Sequence, residues 1–294
     1  MPSSSLATTR RSLEFKTFAL VFLLLVDVCS ASMSPHFRRF VRKNYGAALE
    51  RELNRADLGA GGSFGGGRHR ARTPTENRPV LLVHGITNRA ATFDGIRKYF
   101  LHHDYTDAEV YGTTYGDAGK TNVVFVTMNC HYSKMIRALI QTVADYTSSK
   151  VNILAYSMGS PVARKAILGG ACVDMGEQLG PPLTDLVHTF VGVAGANFGS
   201  FLCVFPVGSC NLINGMACGS RHLNDINSKR GYEGARTYTI ASTGDEKVGF
   251  MACGRKASEI PGQTQMFTKT GMNHDHVMFD TVGLQYNLVT HGRP

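Results

Sequence analysis

The chain of 294 residues has no apolar run approaching the roughly 20 residues that a membrane-spanning helix needs. Its longest such stretch, Phe18 to Val26, stands behind Arg10, Arg11 and Lys16 and ahead of the small residues Ser30-Ala31-Ser32. That layout predicts a cleavable export signal over residues 1–31 rather than an anchor, and no transmembrane segment. No two cysteines stand about two to four residues apart, which excludes a zinc knuckle. There is no Asn-x-Ser/Thr triplet, so no N-linked glycan is expected. Nor does any aromatic platform or recognised motif accompany the basic residues, which argues against a nucleic-acid partner.

Charge and cysteine are placed unevenly. The formal net charge is +9, yet residues 32–72 alone hold nine Lys or Arg against Glu50, Glu52 and Asp57, a local surplus of six. The surplus therefore belongs to a leader, residues 32–78, which reads as a basic amphipathic helix from Phe37 to Leu58 followed by a connector. That connector, Gly59 to Gly67, holds six glycines. It follows no strand and opens no helix, so it is not a dinucleotide-binding loop. The leader reads as a solvated basic helix or a removable pro-segment, with adsorption to an anionic surface as the alternative. Beyond the signal, six cysteines remain (Cys130, Cys172, Cys203, Cys210, Cys218 and Cys253), an even number that predicts three disulfides in an oxidising compartment. The sequence does not choose their pairing.

From residue 79 to the end, apolar runs alternate with helical periodicity. Strands are expected at Val80–Val83, Ala108–Tyr111, Val123–Val126, Val151–Leu154, Val187–Val193, Thr237–Ile240 and Gln263–Phe267. Helices are expected over Ala90–Leu101, His131–Tyr146, Ser160–Ile167 and Val277–Val289. This alternation predicts an α/β domain with a mostly parallel central sheet and helices on both faces. In such a sheet the chemistry lies beyond the carboxyl ends of the strands.

One junction stands out. The Val151 strand enters Ala155-Tyr156-Ser157-Met158-Gly159 and then a helix, the layout of a nucleophile elbow. The turn is sharp enough that residues two before and two after the serine must be small, as Ala155 and Gly159 are. A nucleophilic serine needs an acid and a histidine, in that chain order, each just past a strand end. Asp245 stands in the loop after the Thr237 strand, with Glu246 as its neighbouring alternative. Asp185 and Asp225 lie further from that strand end and read as caps or surface. His274 follows the last strand and is the preferred base; His276 is the alternative base. His102, His103, His188 and His291 have no such placement, and His84 reads as a structural hydrogen bonder. Two amides complete the set as oxyanion donors: Met158, after the serine, and Ile86, in the loop after the first strand.

His84-Gly85-Ile86, the Ala-x-Ser-Met-Gly elbow and Gly271-x-x-His274 together resemble the class 2 lipases, over about residues 79 to 291. The stretch from Arg55 to Gly67 is similar to the leader of their animal branch. The resemblance implies an α/β-hydrolase fold, a secreted enzyme and hydrolysis of carboxylic esters, lipids above all, through an acyl-enzyme. By it Ser157, Asp245 and His274 are nucleophile, acid and base, Ile86 and Met158 the oxyanion donors, and no metal or organic cofactor is required. Residues 197–233 depart from the minimal members in length and carry three cysteines. Their apolar density reads either as a cap in transient contact with a lipid surface or as a disulfide-stapled insert packed on the core. Two rival functions share the fold: acyl transfer to an alcohol by the same triad, and a catalytically silent binding protein.

Overall fold

The computed structural model describes residues 32–294; the expected export signal over residues 1–31 lies outside the described residues. Along the chain run α1 (Pro35–Tyr45), α2 (Ala47–Asn54), β1 (Ser63–Phe64), β2 (Val80–Val83), α3 (Asp94–Leu101) and β3 (Val110–Thr113). Then come α4 (Cys130–Thr147), β4 (Val151–Tyr156), α5 (Gly159–Leu168), β5 (Val187–Val193), α6 (Arg221–Asn227) and β6 (Arg236–Ser242). A small hairpin of β7 (Met251–Ala252) and β8 (Arg255–Lys256) precedes β9 (Gln265–Lys269), α7 (His274–Phe279) and α8 (Val282–Thr290).

Seven strands form one sheet in the order β1-β3-β2-β4-β5-β6-β9. Every pairing is parallel except β1 with β3. The central strands β2, β4 and β5 are buried at every position but His188 and are mostly apolar, because both faces are covered, as a parallel sheet flanked by helices requires. Leu81, Val83, Ile153 and Ala155 point into one core layer with α1, α4 and α5. Val80, Leu82, Leu154 and Tyr156 point into the other, with α3, α7 and α8. The longest helix, α4, starts where the Asn129 side chain accepts the Tyr132 amide, and it buries Met135, Ile136, Leu139, Ile140 and Val143 at the expected spacing.

Three expectations are corrected. Val123–Phe125 is a single 3₁₀ turn and not a strand. Asn122 accepts the Val124 amide there, no sheet edge is offered to it, and β-propensity has nothing to act on without a partner strand. The terminal helix is two helices: the chain steps at Asp280 and Thr281, and the Thr281 hydroxyl returns to the Val277 carbonyl. The basic helix is also two, divided at Gly46, whose φ of +98° few side chains tolerate.

The leader is bound closely to the sheet. Phe37 packs edge-on to Tyr111 and Tyr146, with ring centroids 5.3 and 5.0 Å away. The buried carboxylate of Glu50 accepts from Arg38 at 2.6 Å and Arg42 at 2.7 Å, which holds α2 against α1. In the glycine-rich turn a Cβ on Gly66 would strike Phe37. Ser63 and Phe64 then cover the outer edge of β3, a strand too short to be read from sequence. Three disulfides join Cys130 to Cys172, Cys203 to Cys210 and Cys218 to Cys253. Among the described residues no helix is long and apolar enough to cross a membrane.

Candidate active site

The elbow follows from its neighbours. Ser157 leaves β4 with a φ of +55°, a conformation that costs a non-glycine residue roughly 1 kcal/mol or more. Three hydrogen bonds hold it there: its amide donates to Val193, and its carbonyl accepts from Ser160 and Ala196. A side chain at Gly159 would collide with the His84 carbonyl, so the α5 helix can start this close to β2 only with glycine. Ser157 thus stands on the amino end of α5, where the helix dipole favours negative charge.

The Ser157 hydroxyl lies 2.9 Å from Nε2 of His274, and Nδ1 of the same ring lies 2.7 Å from Oδ2 of Asp245. Since Asp245 is ionised, Nδ1 carries the proton and donates to it, leaving Nε2 to accept from the serine. The other oxygen of Asp245 accepts the amides of Lys247, Val248 and Gly249. Burial alone would push this carboxyl up; hydrogen bonds from His274 and from these amides outweigh it and hold the carboxyl below its usual range. All three side chains are nearly closed off from solvent.

The alternatives are placed elsewhere. His276 is exposed and pairs through Nδ1 with Asp280 at 2.6 Å, so it is His274 that the structure brings to Ser157. Glu246 accepts the backbone amide of His274 at 2.9 Å, capping α7 beside Asn273 instead of touching the imidazole. Asp225 binds Lys165 at 2.6 Å.

The amides of Ile86 and Met158 meet no acceptor among the described residues. Beneath them the His84 ring stacks on Tyr115 at 4.0 Å and donates from Nδ1 to the Gly85 carbonyl, while the Tyr115 hydroxyl donates to the His84 carbonyl. Burial pushes His84 down to about 4, so its ring is neutral and works as a brace for this loop.

Sequence reasoning missed a second line of groups. The Tyr156 hydroxyl donates to Asp275 at 2.8 Å, Lys247 donates to the same carboxylate at 2.7 Å, and the Tyr156 ring lies 5.0 Å from the His274 ring. Tyr156 and Asp275 adjoin Ser157 and His274 in the chain and Lys247 stands two residues after Asp245, which was the one signal available. Another buried set ties α5 to the long insert: Arg164 donates to Glu233, Asn227 and the Ile226 carbonyl. Next to it the Ser160 hydroxyl donates to Asn197.

Sheet order, elbow and strand-end residues together define an α/β-hydrolase. The class 2 lipase model matches residues 77–287, and the chain belongs to that family, a family of ester hydrolases. Its fold is similar to that of a Bacillus licheniformis lipase in its mature form, with a TM-score of 0.54 at 14% identity, covering 78% of this chain and 98% of that one. It is also similar to Aspergillus fumigatus lipase B, with a TM-score of 0.51 at 17% identity, covering 75% of this chain and 53% of that one.

Proposed function

We propose that the protein is a secreted serine carboxylic ester hydrolase that acts on lipid esters such as triacylglycerols. In this reading His274 takes the proton of Ser157 as its hydroxyl oxygen attacks the ester carbonyl carbon. The carbonyl oxygen becomes an oxyanion, held by the amides of Ile86 and Met158. As the tetrahedral intermediate collapses, His274 returns the proton to the departing alcohol and Ser157 keeps the acyl group. Water then attacks that acyl group with the same base, releasing the acid and restoring Ser157. Asp245 orients the imidazole and stabilises its protonated form. No step calls on a metal or an organic cofactor.

The observation that carries the reading is the unbroken chain from Ser157 through His274 to Asp245, at 2.9 and 2.7 Å. Export is supported by the expected signal over residues 1–31 and by the three disulfides. The test is covalent labelling by a fluorophosphonate together with turnover of p-nitrophenyl esters. Both are expected in the native chain and both should vanish in Ser157→Ala. A folded native protein that takes no label would sink the mechanism, and would favour a binding protein on a hydrolase fold.

A further inference from the structure

Among the described residues nine other than glycine have a positive φ, and of these Thr87 alone is branched at Cβ. Its φ of +58° is one that β-branched side chains strongly resist. Such strain persists only where the surroundings over-determine it, and it collects at functional sites. Thr87 stands directly after Ile86, in the loop between β2 and α3.

That loop is a tight turn. The Asn88 amide donates to the Gly85 carbonyl at 3.3 Å, which places Ile86 and Thr87 at the two central positions. With a positive φ at the second of these, the turn is of type II, which ordinarily takes glycine or asparagine there. Flipping the Ile86–Thr87 peptide would give a type I turn and release the strain. It would also exchange the places of the Ile86 carbonyl and the Thr87 amide, reversing a peptide dipole next to the Ile86 amide. Two contacts oppose the flip. The Thr87 hydroxyl donates to the Ile86 carbonyl at 2.7 Å. Gly119 packs on the Thr87 carbonyl so closely that a side chain there would strike it. The loop carrying Gly119 is itself held by Asp117, whose carboxylate accepts the amides of Gly119 and Thr121 at 3.2 and 2.8 Å. For stability alone, glycine or asparagine would make the same turn without strain.

We propose that Thr87 is a positioning residue for the oxyanion. By holding the Ile86 carbonyl, its hydroxyl keeps the neighbouring peptide in the orientation that leaves the Ile86 amide free to receive negative charge. This role rests on the proposed ester hydrolysis and on Ile86 as an oxyanion donor, and Thr87 acts through that amide.

Three substitutions in the full chain test it. The readouts are kcat and KM for a p-nitrophenyl ester, thermal melting, and inhibition by an aryl trifluoromethyl ketone. Ser157 adds to that ketone as its proton passes to His274, and the resulting hemiketal oxyanion reports on the amide donors. Thr87→Val keeps shape and branching but removes the hydroxyl. Its kcat should fall about tenfold to a hundredfold with KM within about twofold, because the contact serves the transition state. Thr87→Gly relaxes the backbone and should lose as much activity, yet melt no lower than the native chain, relief of strain offsetting a freer unfolded state. Thr87→Ser restores the hydroxyl and should recover most of the loss. Across the set, the inhibition constant of the ketone should rise by the factor that kcat/KM falls. If Thr87→Val does not fold, Thr87→Gly carries the same test. Activity that falls only in step with melting temperature would overturn the role, and so would ketone affinity that stays native while kcat drops. A native chain that labels and hydrolyses while both Thr87→Val and Thr87→Gly keep its kcat refutes the role of Thr87 alone. A folded native chain that neither labels with a fluorophosphonate nor hydrolyses esters refutes the hydrolase reading, and this role with it.

Discussion

At the scale of single residues the site depends on which atoms carry protons. With Asp245 ionised, the His274 lone pair faces Ser157. Asp245→Asn lets the ring adopt the opposite tautomer, and kcat is expected to fall by about 10³ to 10⁴ while the fold persists; a loss under tenfold in steady-state assays would contradict the assigned roles. The Tyr156–Asp275–Lys247 line should matter less. Tyr156→Phe removes one hydrogen bond and keeps the ring beside His274, so about a tenfold loss or less is expected in the same assay. Buried histidines set a different dependence. Burial pushes both His84 and His222 down to about 4, against about 6.5 in an unfolded chain. Between those values the unfolded chain binds protons that the folded one refuses. Stability is therefore complete above about pH 6.5 and is lost as the pH falls toward 4. Melting temperatures from pH 7.5 to 4.5 should fall, and His222→Gln, which keeps a donor for the Pro161 carbonyl, should make the fall shallower.

At the scale of elements, the elbow helix α5 is fastened to the insert by an ion pair with no solvent access, Arg164 to Glu233 at 2.9 Å. Glu233→Ala leaves a buried guanidinium unpaired and should cost about 3–5 kcal/mol in chemical denaturation; a change under about 1 kcal/mol would show that water reaches Arg164. This pair could not be read from sequence, because Arg164 sits inside an ordinary helical pattern and Glu233 in a loop. The elements themselves were legible wherever burial imposed a pattern. Val80–Val83 is apolar, and Val151–Tyr156 is so but for Asn152, because both sheet faces are covered, and α4 shows its buried stripe. Ser157, Asp245 and His274 were legible because each follows a strand that announces itself. Val123–Val126 misled because β-branched residues signal a strand equally well where no partner strand receives them. Ser63–Phe64 stayed hidden because two residues carry no period.

For the whole molecule, the question is how far the fold depends on its first described residues. The core layer on the α4 face contains Phe37, Phe40, Val41 and Leu53 from α1 and α2. Phe37→Ala should cost about 3–5 kcal/mol in a denaturant titration. Removing residues 32–58 should leave no cooperative melting transition. A truncated chain that melts cooperatively and still hydrolyses esters would make the leader a dispensable pro-segment after all.

The pairing of β1 with β3 also bears on how the chain is made. Ser63 and Phe64 leave the ribosome well before Gly112 and Thr113, the residues they pair with, and Phe37 precedes Tyr146 by a still longer interval. The segment synthesised first must therefore wait, apolar side chains uncovered, until the middle of the chain exists to receive it. In pulse-labelled hydrogen exchange its amides should gain protection after those of β4 and β5, which makes the leader the closing piece of assembly and a natural handle for a chaperone.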